Sequence, residues 1–192
     1  MGKLIIILAI LVLLNSCSTN NINQQFKFNP NKINIINKKI YNWQLNGKIS
    51  WSNKATNDNS LCYIDWQKNN NKSIVTFRSI MNIKSVTIES NGEKIKIINS
   101  SDNIKETQYN LENISETISL NLNNLNYWLL GTPNINRHYS LINNGFRQDN
   151  WDILYSKYKQ NNNLLLPTFI IMKNADTQTL IKIFISSFKL SS

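Results

Sequence analysis

The chain has 192 residues, a formal charge of +10 and a pI near 9.6, a size that builds one domain with a substantial core and leaves little room for two. Its 21 basic residues are scattered among abundant Asn and Ile, without the clustered patch or stripe of a nucleic-acid interface. Nucleic acid is therefore excluded as a partner, and an acidic protein or an anionic lipid suits the charge better.

Residues 1–16 are predicted to be an export signal. Lys3 precedes an apolar run from Leu4 to Leu14, shorter than the roughly 20 residues of a membrane span but within the roughly 7–15 of a secretory core. The run closes with Leu14-Asn15-Ser16-Cys17, which resembles the lipobox of bacterial lipoproteins, although Asn15 stands where a small or hydroxyl residue is commoner. In that pattern the cysteine is lipidated and becomes the first residue of the mature chain, so Cys17 is the predicted lipid attachment site. At about 0.8 kcal/mol per buried methylene, several acyl chains hold such a protein on its membrane. The same resemblance implies that Ser18, standing where an Asp retains lipoproteins at the inner membrane, sends the protein to the outer membrane, facing the periplasm. An acylated Cys17 leaves Cys62 without a disulfide partner; in the strand-like stretch around it, Cys62 reads as an inert small hydrophobe.

Residues 17–40 are polar and Asn-rich, with Pro30, and are predicted to tether the lipid to a domain over 41–192. Within that domain, apolar alternation predicts strands over 45–51, 61–67, 73–78, 84–89, 94–98 and 106–109. Asn91-Gly92 predicts a tight hairpin turn, and Asn69-Asn70-Asn71 a looser one. Leu111, Ile114, Ile118 and Leu122 then follow helical spacing after a possible cap at Asn110, with Glu112 and Glu116 early in the segment. A second helix over 125–130 stops at Gly131-Thr132-Pro133. Strands return over 147–157, 168–173 and 180–188. The fold class is α+β: a mostly antiparallel sheet that curls into a half-barrel, with two helices as a lid over an apolar interior. The five tryptophans are spread over strands and lid as core residues, and Trp51, Trp66, Trp128 and Trp151 are the candidates for lining a ligand cavity.

Between the third and fourth strands, Ile80 and Met81 occupy a position where a turn tip is expected, yet tips normally carry Gly, Asn, Asp or Pro. Two readings stand: a bulged continuous strand with both side chains in the core, or an exposed apolar wedge that touches a membrane or an acyl chain. Catalytic chemistry is missing. His138, the single histidine, has no nucleophile or orienting carboxylate patterned beside it. No metal-ligand spacing occurs, and the five glycines form no phosphate-cradling loop. Neither a catalytic residue, a metal nor a cofactor is predicted.

Taken in order, the lipobox, Gly47-Lys48-Ile49-Ser50-Trp51, Ile64-Asp65-Trp66-Gln67, Tyr127-Trp128-Leu129-Leu130-Gly131-Thr132-Pro133, and Trp151-Asp152-Ile153-Leu154-Tyr155 leading to Leu166-Pro167 resemble the LolB family of outer-membrane lipoprotein receptors. That resemblance implies an incomplete antiparallel barrel with a helical lid, a hydrophobic cavity for acyl chains and no enzymatic activity. It also implies a monomer that accepts lipoprotein cargo from the periplasmic carrier LolA and inserts it into the inner leaflet of the outer membrane. The family's protruding loop carries an exposed leucine, matched in position by Met81; its flanking Pro and Gly are replaced here by Ile80 and Asn82. Two other functions stay open on the residues: a lipid-tethered scaffold of the envelope, and a small hydrolase acting on wall or lipid.

Overall fold

A computed structural model of the chain describes residues 40–81, 84–92, 94–99, 108–161 and 164–191; the predicted signal, Cys17 and the tether up to residue 39 lie outside the described residues. The elements run β1 (Asn42–Asn53), β2 (Asp58–Asn69), β3 (Lys72–Ser79), β4 (Ser85–Ser90), β5 (Ile95–Asn99), α1 (Gln108–Trp128), β6 (Ser140–Ile142), β7 (Gly145–Gln148), β8 (Trp151–Asn161), β9 (Leu164–Asn174) and β10 (Thr179–Ser191). All ten strands form one sheet in the order β5-β4-β3-β2-β1-β10-β9-β8-β7-β6. Every neighbouring pair is antiparallel. The first five strands meander away from β1, and the last five meander back until β10 pairs with it. The sheet is curled and unclosed, with β5 and β6 at its two ends.

Strict alternation places one face of this sheet in the core. Trp43, Leu45, Ile49 and Trp51 of β1 are buried, as are Cys62, Ile64 and Trp66 of β2 and Val75 and Phe77 of β3. A period of two puts each set on one face of its strand. Bulges shift the register opposite Asn46/Gly47 of β1, where Ser186 is the extra residue of β10, and on both sides of Lys157 in the β8–β9 pair, and such insertions bend a strand and increase its twist. In β10 the inward residues change from Ile181, Ile183 and Ile185 to Phe188 and Leu190 across the first of these bulges. A side chain on Gly47 would run into the carbonyl oxygen of Phe184, so the bulge requires glycine there.

Three expectations need correction. The expected sixth strand over 106–109 does not form: Gln108 and Tyr109 begin α1, and residues 106 and 107 lie outside the described residues. Asn110 is consequently inside the helix rather than its cap. The two expected helices are one, which ends at Trp128, because Ile114, Ile118, Leu122 and Leu125 continue a single buried stripe. Asn124, a poor helix former, is buried at 6% exposure and bonded to Asp149 and Asn134, so tertiary hydrogen bonds compensate for its propensity. Finally, the strand expected over 147–157 is divided by Asp149-Asn150, with φ of 50° and 64°, the double positive angle of a two-residue hairpin turn.

Candidate functional site

The inward face is a series of cross-strand rows. Leu45, Trp66, Val75 and Ile88 stand in one row, and Gly47, Ile64, Phe77 and Val86 in the next. The side chains in these rows are buried and apolar, and α1 packs over them against β2, β3 and β4. Trp51, Trp66, Trp128 and Trp151 all belong to this one core, at 5% exposure or less. Trp43 joins them: its ring centroid lies 5.8 Å from that of Trp66. The indole N–H groups divide into two kinds. Trp128 Nε1 donates to Gln148 Oε1 at 2.9 Å, whereas Trp51 Nε1 and Trp66 Nε1 are buried without an acceptor among the described residues. A buried donor with no acceptor costs about 1–3 kcal/mol.

The end of α1 is held by local and tertiary bonds together. Gly131, at φ of 83°, donates its N–H to Trp128 O, and Thr132 donates to Tyr127 O at 3.2 Å; these two bonds are the Schellman stop. Beyond the stop, the buried Gln148 of β7 clasps the returning chain. Its Oε1 accepts from Trp128 Nε1 and from the Asn134 N–H, each at 2.9 Å, and its Nε2 donates to Asn134 O at 2.9 Å. Tyr155 Oη donates to Trp128 O at 2.8 Å. Burial, with the neighbouring Tyr158 as a lesser cause, pushes the Tyr155 phenol well above its ordinary range, so it remains a donor.

Ile80 and Met81 lie in a turn outside the core. Strand β3 ends at Ser79, whose N–H donates to Lys84 O at 3.0 Å and closes the neck of the loop. Ile80 is 56% exposed and Met81 81%, which removes the bulged-strand reading; Asn82 and Ile83 lie outside the described residues. Cys62 is buried and free, and burial pushes its thiol up to about 12, consistent with an inert hydrophobe.

A cavity of about 320 Å³ opens at the other end of the β3–β4 hairpin, beneath the C-terminal half of α1. None of the four candidate tryptophans lines it, and sequence reasoning missed its lining residues, Trp43 and Lys68 among them. Strand alternation carries a signal for both: Lys68 follows Cys62, Ile64 and Trp66 at inward positions of β2, and pairs with Trp43. A larger hollow of about 840 Å³ includes Arg147, Asp152 and Lys173 in its lining. Two of its charges pair: Arg147 grips Asp152 through two bonds of 2.6 and 2.9 Å and holds the carboxyl below its usual range. No group of three or more His, Cys, Asp or Glu suited to a metal occurs among the described residues.

The family model of the outer membrane lipoprotein LolB matches residues 41–187. This chain belongs to the LolB family. The family is one of lipoprotein localisation at the outer membrane rather than of enzymes. Among solved structures, the chain is similar to a LolA-superfamily protein from Nitrosomonas europaea, at 12% identity and a TM-score of 0.47, over 85% of this chain and 94% of that one. It is also similar to a putative outer membrane lipoprotein-sorting protein domain from Vibrio parahaemolyticus, at 9% identity and a TM-score of 0.42, with the same coverage of 85% and 94%. No curated protein matches its sequence.

Proposed function

We propose that this LolB-family chain receives lipoproteins from a LolA-like periplasmic carrier and inserts them into the inner leaflet of the outer membrane. The observation that carries the reading is the pairing of a continuous apolar concave face with an exposed apolar tip. Met81 is 81% exposed and Ile80 56%, while the inward rows behind them are closed to water. Burying two such side chains in lipid is worth about 1.5–3 kcal/mol each, enough to hold the tip in a bilayer.

In this mechanism α1 is the lid. Its inward side chains are replaced by acyl chains as it lifts, and the buried N–H groups of Trp51 and Trp66 are donors available to ester or amide carbonyls of the cargo. Transfer needs no nucleotide: cargo moves downhill from carrier to cavity to bilayer, each burying the chains better than the last. Lipidated Cys17 keeps the cavity beside the accepting leaflet and raises its effective concentration there. The protein acts as a monomer, anchored on the periplasmic face.

Transfer from loaded carrier to protein, followed by delivery into liposomes, tests the reading. Met81→Asp leaves uptake near the unsubstituted level and reduces delivery by about tenfold or more, since a charged tip resists burial in hydrocarbon. Equal loss of both steps, or of neither, overturns the role of the tip.

A further inference from the structure

The inward face is apolar row after row until its last row, where the chemistry changes. Trp43, Lys68, Ser73 and Ser90 are cross-strand neighbours there. Ser73 and Ser90 are buried at 2% and 6% exposure in places where the preceding row has Val75 and Ile88. These residues, with Asn126 and Tyr127 of α1, line the 320 Å³ cavity. Ser73 Oγ and Asn126 Oδ1 are 3.4 Å apart across the gap between sheet and helix.

Lys68 is the one cation of this lining, and no carboxylate lines it among the described residues. The ammonium has no ion-pair partner among the described residues either. Burial lowers its pKa. A half-buried cation on the rim of an apolar interior, surrounded by hydroxyls and amides and without a carboxylate among the described residues, is the reverse of what core packing selects. It matches an amphiphile whose chain runs inward along Trp43 and Trp66 and whose head is anionic and hydroxylated.

Building on the acyl-chain reading above, we infer that this cavity is a headgroup site for an anionic phosphoglycerolipid, with Lys68 binding the phosphate and the serine and asparagine side chains binding the glycerol. An acylated cysteine carries no anion, so Lys68 is not matched to the head of the cargo. The site instead holds a phospholipid in the resting protein, which cargo displaces.

Binding of single-chain lysophosphatidylglycerol and lysophosphatidylcholine of equal chain length, below their micelle concentrations, is read by tryptophan fluorescence of the purified full chain. Glycerol 3-phosphate supplies the head without the chain. The expected result is a preference for the anionic lysolipid of about tenfold, equivalent to about 1.4 kcal/mol. Lys68→Met abolishes the preference by weakening lysophosphatidylglycerol binding more than lysophosphatidylcholine binding, and Lys68→Arg retains it. Equal binding of the two lysolipids to the unsubstituted chain, or a preference that survives Lys68→Met, overturns the headgroup site and leaves the acyl cavity standing. Binding of neither lysolipid overturns both. Glycerol 3-phosphate binding as tightly as the lysolipid overturns the lipid assignment in favour of a free phosphate site.

Discussion

Replacing Gln148 by Leu keeps the volume of a side chain that is 1% exposed but removes every polar bond it makes. Trp128 Nε1 and the Asn134 N–H, both now bonded to Gln148 Oε1 at 2.9 Å, are left as buried donors without acceptors. At about 1–3 kcal/mol for each stranded donor, the loss is roughly 2–6 kcal/mol. That is a large share of the roughly 5–15 kcal/mol that stabilises a domain. Equilibrium urea unfolding reads it directly: with a slope of about 2 kcal/mol per molar, the midpoint falls by roughly 1–3 M. Tyr155→Phe is the internal comparison. It removes one bond, to a Trp128 carbonyl that keeps the Gly131 N–H as a second donor, and costs about 1 kcal/mol. A Gln148→Leu loss no larger than that of Tyr155→Phe refutes the reasoning that the Gln148 clasp fixes the end of α1 to the sheet.

Gly47→Ala forces a methyl group against the Phe184 carbonyl at the β1–β10 bulge; a loss of about 1–3 kcal/mol follows, and an unchanged melting temperature contradicts it. Stability also declines in alkali. Burial raises Cys62 from 9.0 to about 12 and lifts Tyr155 and Tyr158 above 10.0. The unfolded groups therefore lose their protons first, so the contribution of these three groups is level below about pH 9. Above it, stability falls by up to about 1.4 kcal/mol per pH unit for each group. Urea midpoints at pH 7, 9 and 10.5 measure this decline, and Cys62→Ala shallows its first part. The Met81→Asp transfer experiment and the Lys68 lipid series complete the set.

Much of the sheet was legible because a half-buried strand has a period of two. The strands expected over 45–51, 61–67 and 73–78 lie within β1, β2 and β3, where large apolar residues alternate with polar ones. The tip was legible for the opposite reason: Ile80 and Met81 break the rule that turns are polar, and the structure leaves both exposed. The helix was harder. Asn123-Asn124 reads locally as a break, and only bonds to Asp149 and Asn134, distant in sequence, show why the helix runs through it.

By itself the sequence determined the β-rich class, the buried thiol and the motifs that carry the family resemblance, since each depends on side chains near one another along the chain; at Ile80 and Met81 it left two readings, and the exposure of both side chains chose between them. Tertiary structure decided the rest. Adding β10 beside β1 and laying α1 across β2–β4 are long-range events, and they convert five separate tryptophans into one interior. They also turn Lys68 from one lysine among many into the single described cation at a cavity mouth. A charge has its chemical meaning from what surrounds it, and those surroundings come from five different elements of the fold.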